Sequence, residues 1–257
     1  MYTEEKLNEY LSHFTPEEQQ VLRESAAQYD RYLRQLPPAT PTEGEAKPWG
    51  ILALNGASGA GQSFVMAYVR QLLEQRGIEL PRIYLLATRE PRPGEGDRNP
   101  YIFVEEVEGG FRDRFHPDRF YRWDDIYYHY VSRPGAANAI LMADALRARR
   151  ERMYLETVIP TLLHIQREAI RGLPPWGDHL TILYLAVPTG AEWLYRLLQR
   201  EPERVKEAAF RQKLVGRVRS SLADMALAVE EQIPVIFNRW GEGERAAEEL
   251  LAAWGLG

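Results

Sequence analysis

Residues 50 to 54 form an apolar run, Gly-Ile-Leu-Ala-Leu, and residues 55 to 64 continue Asn-Gly-Ala-Ser-Gly-Ala-Gly-Gln-Ser-Phe. An apolar strand that passes through closely spaced glycines into an amphipathic stretch leaves the chain few ways to fold. Gly56, Gly59 and Gly61 allow successive backbone N–H groups to turn inward on an anion at the start of a helix. The pattern is that of a phosphate-binding loop. In such a loop a lysine reaches the β- and γ-phosphates and a Ser or Thr hydroxyl meets Mg²⁺. Ser63 supplies the hydroxyl, whereas Gln62 stands where the lysine should be. The expected donor-phosphate set is therefore Gly56, Ser58, Gly59, Gly61, Gln62 and Ser63, with Ser63 as the Mg²⁺ ligand.

Strands and helices alternate around this loop. The periodicity predicts helices over 63–76, 136–151, the stretch up to 172, 191–229 and 244–254, with strands over 82–88, 152–157, 181–187 and 234–238. That order implies an α/β fold with a parallel sheet covered by helices on both faces. Upstream, Thr15-Pro16-Glu17-Glu18 combines an N-cap, a proline at the first helical position and a capping-box glutamate. Leu22, Ala26, Tyr29, Leu33 and Leu36 then recur at helical spacing. We expect a helical hairpin over 1–36, a Pro- and Thr-rich linker over 37–48 and the main domain over 49–257. The apolar stripe of the hairpin either covers a face of its own domain or serves a homodimer or protein partner.

Composition narrows the alternatives. No stretch approaches the roughly 18 consecutive apolar residues of a membrane span, and the first ten residues lack a basic segment followed by an apolar run. A soluble, cytoplasmic protein is expected, with no membrane partner. Cysteine is absent, and His13, His116, His129, His164 and His179 show no metal-ligand spacing, so no structural metal is expected. The net charge of −5 argues against a general nucleic-acid surface. Only Lys6, Lys47, Lys206 and Lys213 are lysines among 32 basic residues, and none lies near the glycine loop in sequence.

A second motif reads Thr88-Arg89-Glu90-Pro91-Arg92-Pro93-Gly94-Glu95, followed by Tyr101-Ile102-Phe103-Val104. Two arginines three apart at the mouth of a sheet, with a tyrosine hydroxyl close behind, suit a terminal phosphate. Here the chain resembles guanylate kinases, whose second strand ends in Thr-Arg-x-x-Arg-x-Gly-Glu and continues into Tyr-x-Phe-Val. The resemblance extends loosely from residue 49 to the C-terminus, omits the hairpin, and includes a degenerate Walker A motif. It implies an acceptor-binding lobe over about 89–135, in which Arg89, Arg92 and Tyr101 hold the acceptor phosphate.

The same resemblance assigns further roles. Phe120-Tyr121-Arg122-Trp123 aligns with a Phe-x-Glu-Trp segment, which puts Arg122 at the position of a guanine-reading glutamate. Arginine has donors and no acceptor, so either Asp124 or Asp125 replaces that glutamate or the acceptor is not GMP. Tyr130 and Glu156 fall where the family contacts the acceptor. Arg196, Arg200 and Arg217 fall in a lid over about 196–217 that meets charge on the transferring phosphoryl group, and Asn238 falls beside the donor base, where Arg239 and Trp240 replace acidic residues.

The expected function follows from an asymmetry, because the acceptor-phosphate clamp is kept while the donor loop has lost its lysine and carries Phe64 where a hydroxyl is usual. We expect a protein that binds a phosphorylated ligand, a nucleotide, with ATP and Mg²⁺ use lost or greatly weakened. The alternatives are an active nucleoside monophosphate kinase with an altered acceptor base and a sugar-phosphate phosphokinase.

Overall fold

The alternation read from the sequence is realised in the structure, a computed structural model that describes residues 2–42, 47–92, 94–133 and 135–257. Residues 43–46 of the expected linker and Pro93 of the arginine motif lie outside the described residues. The chain begins with α1 (Glu4–Leu11) and α2 (Pro16–Leu33), then β1 (Gly50–Gly56) and α3 (Gln62–Gln75). Short strands β2 (Arg82–Ile83) and β3 (Leu86–Ala87) lead to β4 (Ile102–Val107), β5 (Gly110–Asp113), β6 (Phe120–Arg122), β7 (Ile126–Arg133) and β8 (Ala136–Leu141). The remainder is α4 (Met142–Arg147), β9 (Arg152–Leu155), α5 (Ile159–Arg167), β10 (Leu180–Ala186), α6 (Gly190–Gln199), α7 (Ala208–Glu230), β11 (Val235–Phe237) and α8 (Gly243–Ala253). Among the described residues no helix is long and apolar enough to cross a membrane.

Strands β11, β10, β1, β9 and β2 make a five-stranded sheet in that order, flanked by helices, with β10–β11, β1–β9 and β9–β2 paired in parallel. Its strands read as continuous apolar runs because both faces are covered. Ile51 to Leu54 of β1 and Leu183 to Ala186 of β10 are all buried. A second sheet of six strands, in the order β6-β5-β4-β3-β8-β7, is mainly antiparallel. Leu86, Ile102, Val104, Phe111, Ile126 and Ala139 form its core.

Two expectations change here. The stretch 136–151, rich in alanine and expected to be one helix, is strand β8 followed by the short α4. Alanine's helix preference is a fraction of a kcal/mol per residue, and it is outweighed by two ladders, one to β7 and one to β3. The expected strand 82–88 divides, with β2 joining the parallel sheet and β3 the six-stranded one. A two-residue gap between them allows the chain to change sheets.

The chain divides into two compact units, one of Met1–Ala46, Leu54–Glu79 and Ile182–Gly257, the other of Lys47–Ala53 and Leu80–Thr181. In the first unit the capping box at α2 forms as the sequence suggests, with the Thr15 N–H donating to Glu18 Oε2 at 2.9 Å and the Glu18 N–H to Thr15 Oγ1 at 3.2 Å. Leu22, Ala26, Tyr29, Leu33 and Leu36 are all buried, and α2 lies on α6 and α7. Contact with α6 is so close that a Cβ at Gly190 would collide with the Ala26 carbonyl. The dimer or partner expectation drew on this stripe, and the structure places the stripe inside its own unit.

Tyr29 anchors that contact. Its hydroxyl donates to the Val187 carbonyl at 3.1 Å and accepts from the Val187 N–H at 2.8 Å, with no solvent exposure. Tyr29→Phe leaves both backbone groups buried and unpaired, and should lower unfolding free energy by about 1 to 3 kcal/mol. Urea denaturation of the two proteins measures this, and an unchanged midpoint would contradict the anchoring role.

Candidate functional site

The loop between β1 and α3 belongs to the first unit. Gly59 and Gly61 have φ of +89° and +90°, the left-handed region that residues with a Cβ rarely adopt. At Gly61 a Cβ would also stand 2.5 Å from Asn238 Nδ2. Side chains from three distant elements fix the turn. The Ser58 N–H donates to Ser221 Oγ on α7 at 3.1 Å, the Ser58 carbonyl accepts from Trp193 Nε1 on α6 at 2.9 Å, and the Ala60 carbonyl accepts from Asn238 Nδ2 at 2.7 Å. Gly61 is the N-cap of α3 and makes no side-chain capping bond. The first amides of α3, with the positive end of the helix dipole behind them, are thus left without a side-chain cap, an arrangement that favours an anion. Gln62 is half-buried at the first helical position and Ser63 is exposed at the second.

A cavity of about 690 Å³ opens beside this loop, bordered by Gly61, Phe64, Arg196, Arg200, Asn238 and Trp240. Arg196 is held by Glu192 at 2.6 Å and donates to the Asn238 carbonyl at 3.0 Å, with its guanidinium 5.4 Å from the Trp240 ring centre. Arg200 follows the end of α6. Arg217, the third arginine expected in the lid, lies on α7 with its Nη1 3.6 Å from Glu201. Two of the three expected lid arginines therefore border one cavity. Asn238, expected beside the donor base, is buried with its amide nitrogen committed to the loop.

The arginine motif belongs to the second unit. Arg89 forks onto Glu95, with Nη1 to Oε2 at 2.6 Å and Nη2 to Oε1 at 2.7 Å, and its guanidinium lies 5.1 Å from the Tyr101 ring centre and 5.0 Å from that of Phe103. The Arg92 N–H donates to the same carboxylate at 2.8 Å, while the Arg92 side chain is exposed. The Arg89 fork, supported by that N–H, holds the Glu95 carboxyl below the usual carboxylate range, and Glu95 in turn raises the Arg89 pKa.

The other expected acceptor residues are placed as follows. The Tyr130 hydroxyl meets Thr157 Oγ1 and accepts from Asn138 Nδ2 at 3.2 Å, and burial raises its pKa. Glu156 accepts from Arg82 Nη2 at 2.6 Å and from the Tyr154 hydroxyl. Arg122 is exposed on β6 with its backbone N–H held by Asp125 Oδ2 at 2.8 Å, and Asp124 is exposed. Glu95, Asn138 and Thr157 were not singled out from the sequence. Glu95 ends the quoted motif, so its proximity to Arg89 was open to inference, whereas Ser221 and Trp193 carry no local signal that would tie them to Ser58.

The fold is mixed α/β, with a parallel sheet flanked by helices and a glycine loop between its first strand and the helix that follows. No protein-family model matches the chain. It is 25% identical over 203 residues to a guanylate kinase of Rubrobacter xylanophilus, covering 78% of this chain and 91% of that one. It is 27% identical over 174 residues to a guanylate kinase of Syntrophus aciditrophicus, covering 68% and 73%. A crystal structure of guanylate kinase from Anaplasma phagocytophilum aligns with 80% of this chain and 84% of that one at 17% identity and a TM-score of 0.44. Over most of its length the chain is thus similar to guanylate kinases, and it carries a degenerate Walker A motif.

The Arg89–Glu95 pair has a defined pH signature. A carboxyl whose folded pKa is depressed stabilises fully above its unfolded pKa, about 4.3 for Glu, and that contribution disappears as pH falls through the lower folded value. The stability difference between the native protein and Glu95→Gln should be constant above about pH 5 and shrink toward pH 3. Urea midpoints across that range test the sign, and a difference that grows on acidification would contradict the pairing.

Proposed function

We propose that the protein binds a nucleotide or similar phosphorylated ligand through Arg89, Arg92 and Tyr101, and that Gln62 has removed or greatly weakened ATP-dependent phosphoryl transfer. The observation that carries this reading is the built state of the clamp. Arg89 is fixed against Tyr101, Phe103 and Glu95, while the donor loop keeps its glycine geometry and has glutamine where a cation is required. Similarity to guanylate kinases supports a nucleotide-binding, kinase-like protein.

The loop fits a phosphate group at its Gly61 end, where no side chain caps the N-terminus of α3 and the cavity beside Gly61 has room for a nucleoside, whereas the N–H groups of Gly56, Ser58 and Ala60 are bonded within the protein. Gly59, Gly61, Gln62 and Ser63 would hold the donor phosphates. Among the described residues no three His, Cys, Asp or Glu side chains cluster as a metal site, so Mg²⁺ would arrive with the nucleotide and meet the Ser63 hydroxyl. When bound, ATP supplies the transferable phosphoryl group. The protein's part is to hold and orient it, and that is where Gln62 matters. A hydrogen bond to a charged group is worth about 1.5 to 3 kcal/mol, whereas loss of a preorganised donor to developing charge costs about 10² to 10³ in rate. Affinity should suffer less than turnover.

A second reading, an active kinase with an altered acceptor base, is favoured by Arg196 and Arg200 beside the loop, because these could meet charge that lysine would otherwise meet. A coupled assay with GMP, dGMP and pyrimidine monophosphates decides between the two readings. We expect turnover at least 100-fold below the roughly 1 to 100 per second of kinases, and ordinary rates with any monophosphate would establish the second reading.

Restoring the charge should restore donor binding. Gln62→Lys is expected to tighten ATP about tenfold in calorimetry, the equivalent of about 1.4 kcal/mol, and equal affinity in both proteins would count against a preserved loop. Arg89→Ala should weaken monophosphate binding by at least tenfold, about one charged hydrogen bond, and leave ATP binding at the loop unchanged. Equal loss of both ligands would show a general structural defect instead of a local clamp.

A further inference from the structure

We propose that the cavity beside Gly61 holds the base of a nucleoside triphosphate by stacking and does not select among bases. This deepens the nucleotide-binding reading above and rests on it. Phe64 is 53% exposed and Trp240 39% exposed, so two large aromatic side chains border a cavity with their surfaces still open to solvent. Arg196 already lies against Trp240, its guanidinium 5.4 Å from the ring centre, and Arg200 and Arg239 also line the wall. Aromatic faces and guanidinium groups together fit a ligand that is planar at one end and anionic at the other.

Hydrogen-bond readout of a base is poorly supplied. No Asp or Glu lines the cavity among the described residues, so an exocyclic amino group finds no carboxylate there. The Asn238 amide nitrogen donates to the Ala60 carbonyl, and the Asn238 backbone carbonyl accepts from Arg196. Gln199 is the other neutral amide in the wall, and an amide that can present either its donor or its acceptor does not distinguish bases strongly. Stacking tolerates any base because every base has a π-face. Arg239 and Trp240 thus make this end of the site a cationic, aromatic surface.

Calorimetric titration with ATP, GTP, CTP, UTP and inorganic tripolyphosphate tests the proposal, using the native protein, Trp240→Ala, Trp240→Phe and Arg89→Ala. We expect the four triphosphates to bind within about threefold of one another and tripolyphosphate to bind about tenfold more weakly, a factor corresponding to one stacked base. Trp240→Ala should weaken all four nucleotides by about tenfold and leave tripolyphosphate unaltered, while Trp240→Phe retains most of the affinity. The same pattern should hold in Arg89→Ala, which confines it to the loop side. A tenfold preference for one base, tripolyphosphate binding as tightly as the nucleotides, or no effect of Trp240→Ala overturns the proposal. A GMP titration separates its failure from that of the reading it rests on. If GMP binds and no triphosphate does, the stacking site falls and the clamp stands, and if neither binds, both fall.

Discussion

A glycine turn that leaves the first amides of a helix uncapped buries backbone carbonyls behind it, and each of those carbonyls needs a donor. That requirement governs the first unit. The Ser58 carbonyl takes the Trp193 indole N–H and the Ala60 carbonyl takes the Asn238 amide, while the Ala57 carbonyl closes internally onto the Ala60 N–H at 2.9 Å. Buried backbone groups left without partners would cost about as much as the loop could gain from a ligand. The donors come from α6 and from the residue after β11, so the loop keeps its shape only while those elements hold their places. Trp193 is itself stacked on Tyr29 at 4.6 Å and an interplanar angle of 12°, and Tyr29 is bonded to Val187. The N-terminal hairpin is in this way part of the foundation of the glycine loop, with only Trp193 between Tyr29 and Ser58.

The clamp in the second unit solves a different problem. A long arginine side chain loses considerable rotamer freedom when it is fixed, and Arg89 is fixed before any ligand arrives by two aromatic rings and the Glu95 carboxylate. Preorganisation of this kind lowers the entropy lost on binding, but Glu95 also neutralises the charge that a phosphate would seek. Arg92 resolves part of the conflict, since its backbone shares in holding Glu95 while its guanidinium is exposed. Arg89 is thus ordered and ion-paired, whereas Arg92 is exposed.

How far the sequence disclosed this depends on the range of the interactions. The capping box at Thr15 and Glu18, the helical stripe of α2 and the apolar runs of β1 and β10 are local, and each could be read directly. Alanine favours a helix in isolation over 136–151, and only the ladders to β3 and β7, which no local pattern records, make its first six residues a strand. The site divides in the same way. Arg89, Tyr101 and Glu95 lie within thirteen residues and their association follows from the motif, whereas Ser221 is 163 residues from Ser58 and no spacing rule connects the two. Asn238 lies between these cases, since its place after the last strand was legible but its bond to Ala60 was not.

The long-range bonds also explain why a loop can lose its lysine and still be a loop. None of the three side chains that fix residues 58 to 60 is the residue at position 62, so substitution there removes charge without removing architecture. What remains is a set of neutral dipoles at a helix N-terminus, which attract a phosphate that already carries its charge. A lysine adds most where charge is redistributed during transfer, because a fixed cation in a partly dehydrated site acts at a higher effective strength than in water. Shape and charge therefore reside in separable parts of the same ten residues, and a chain with the glycines but no lysine keeps the shape.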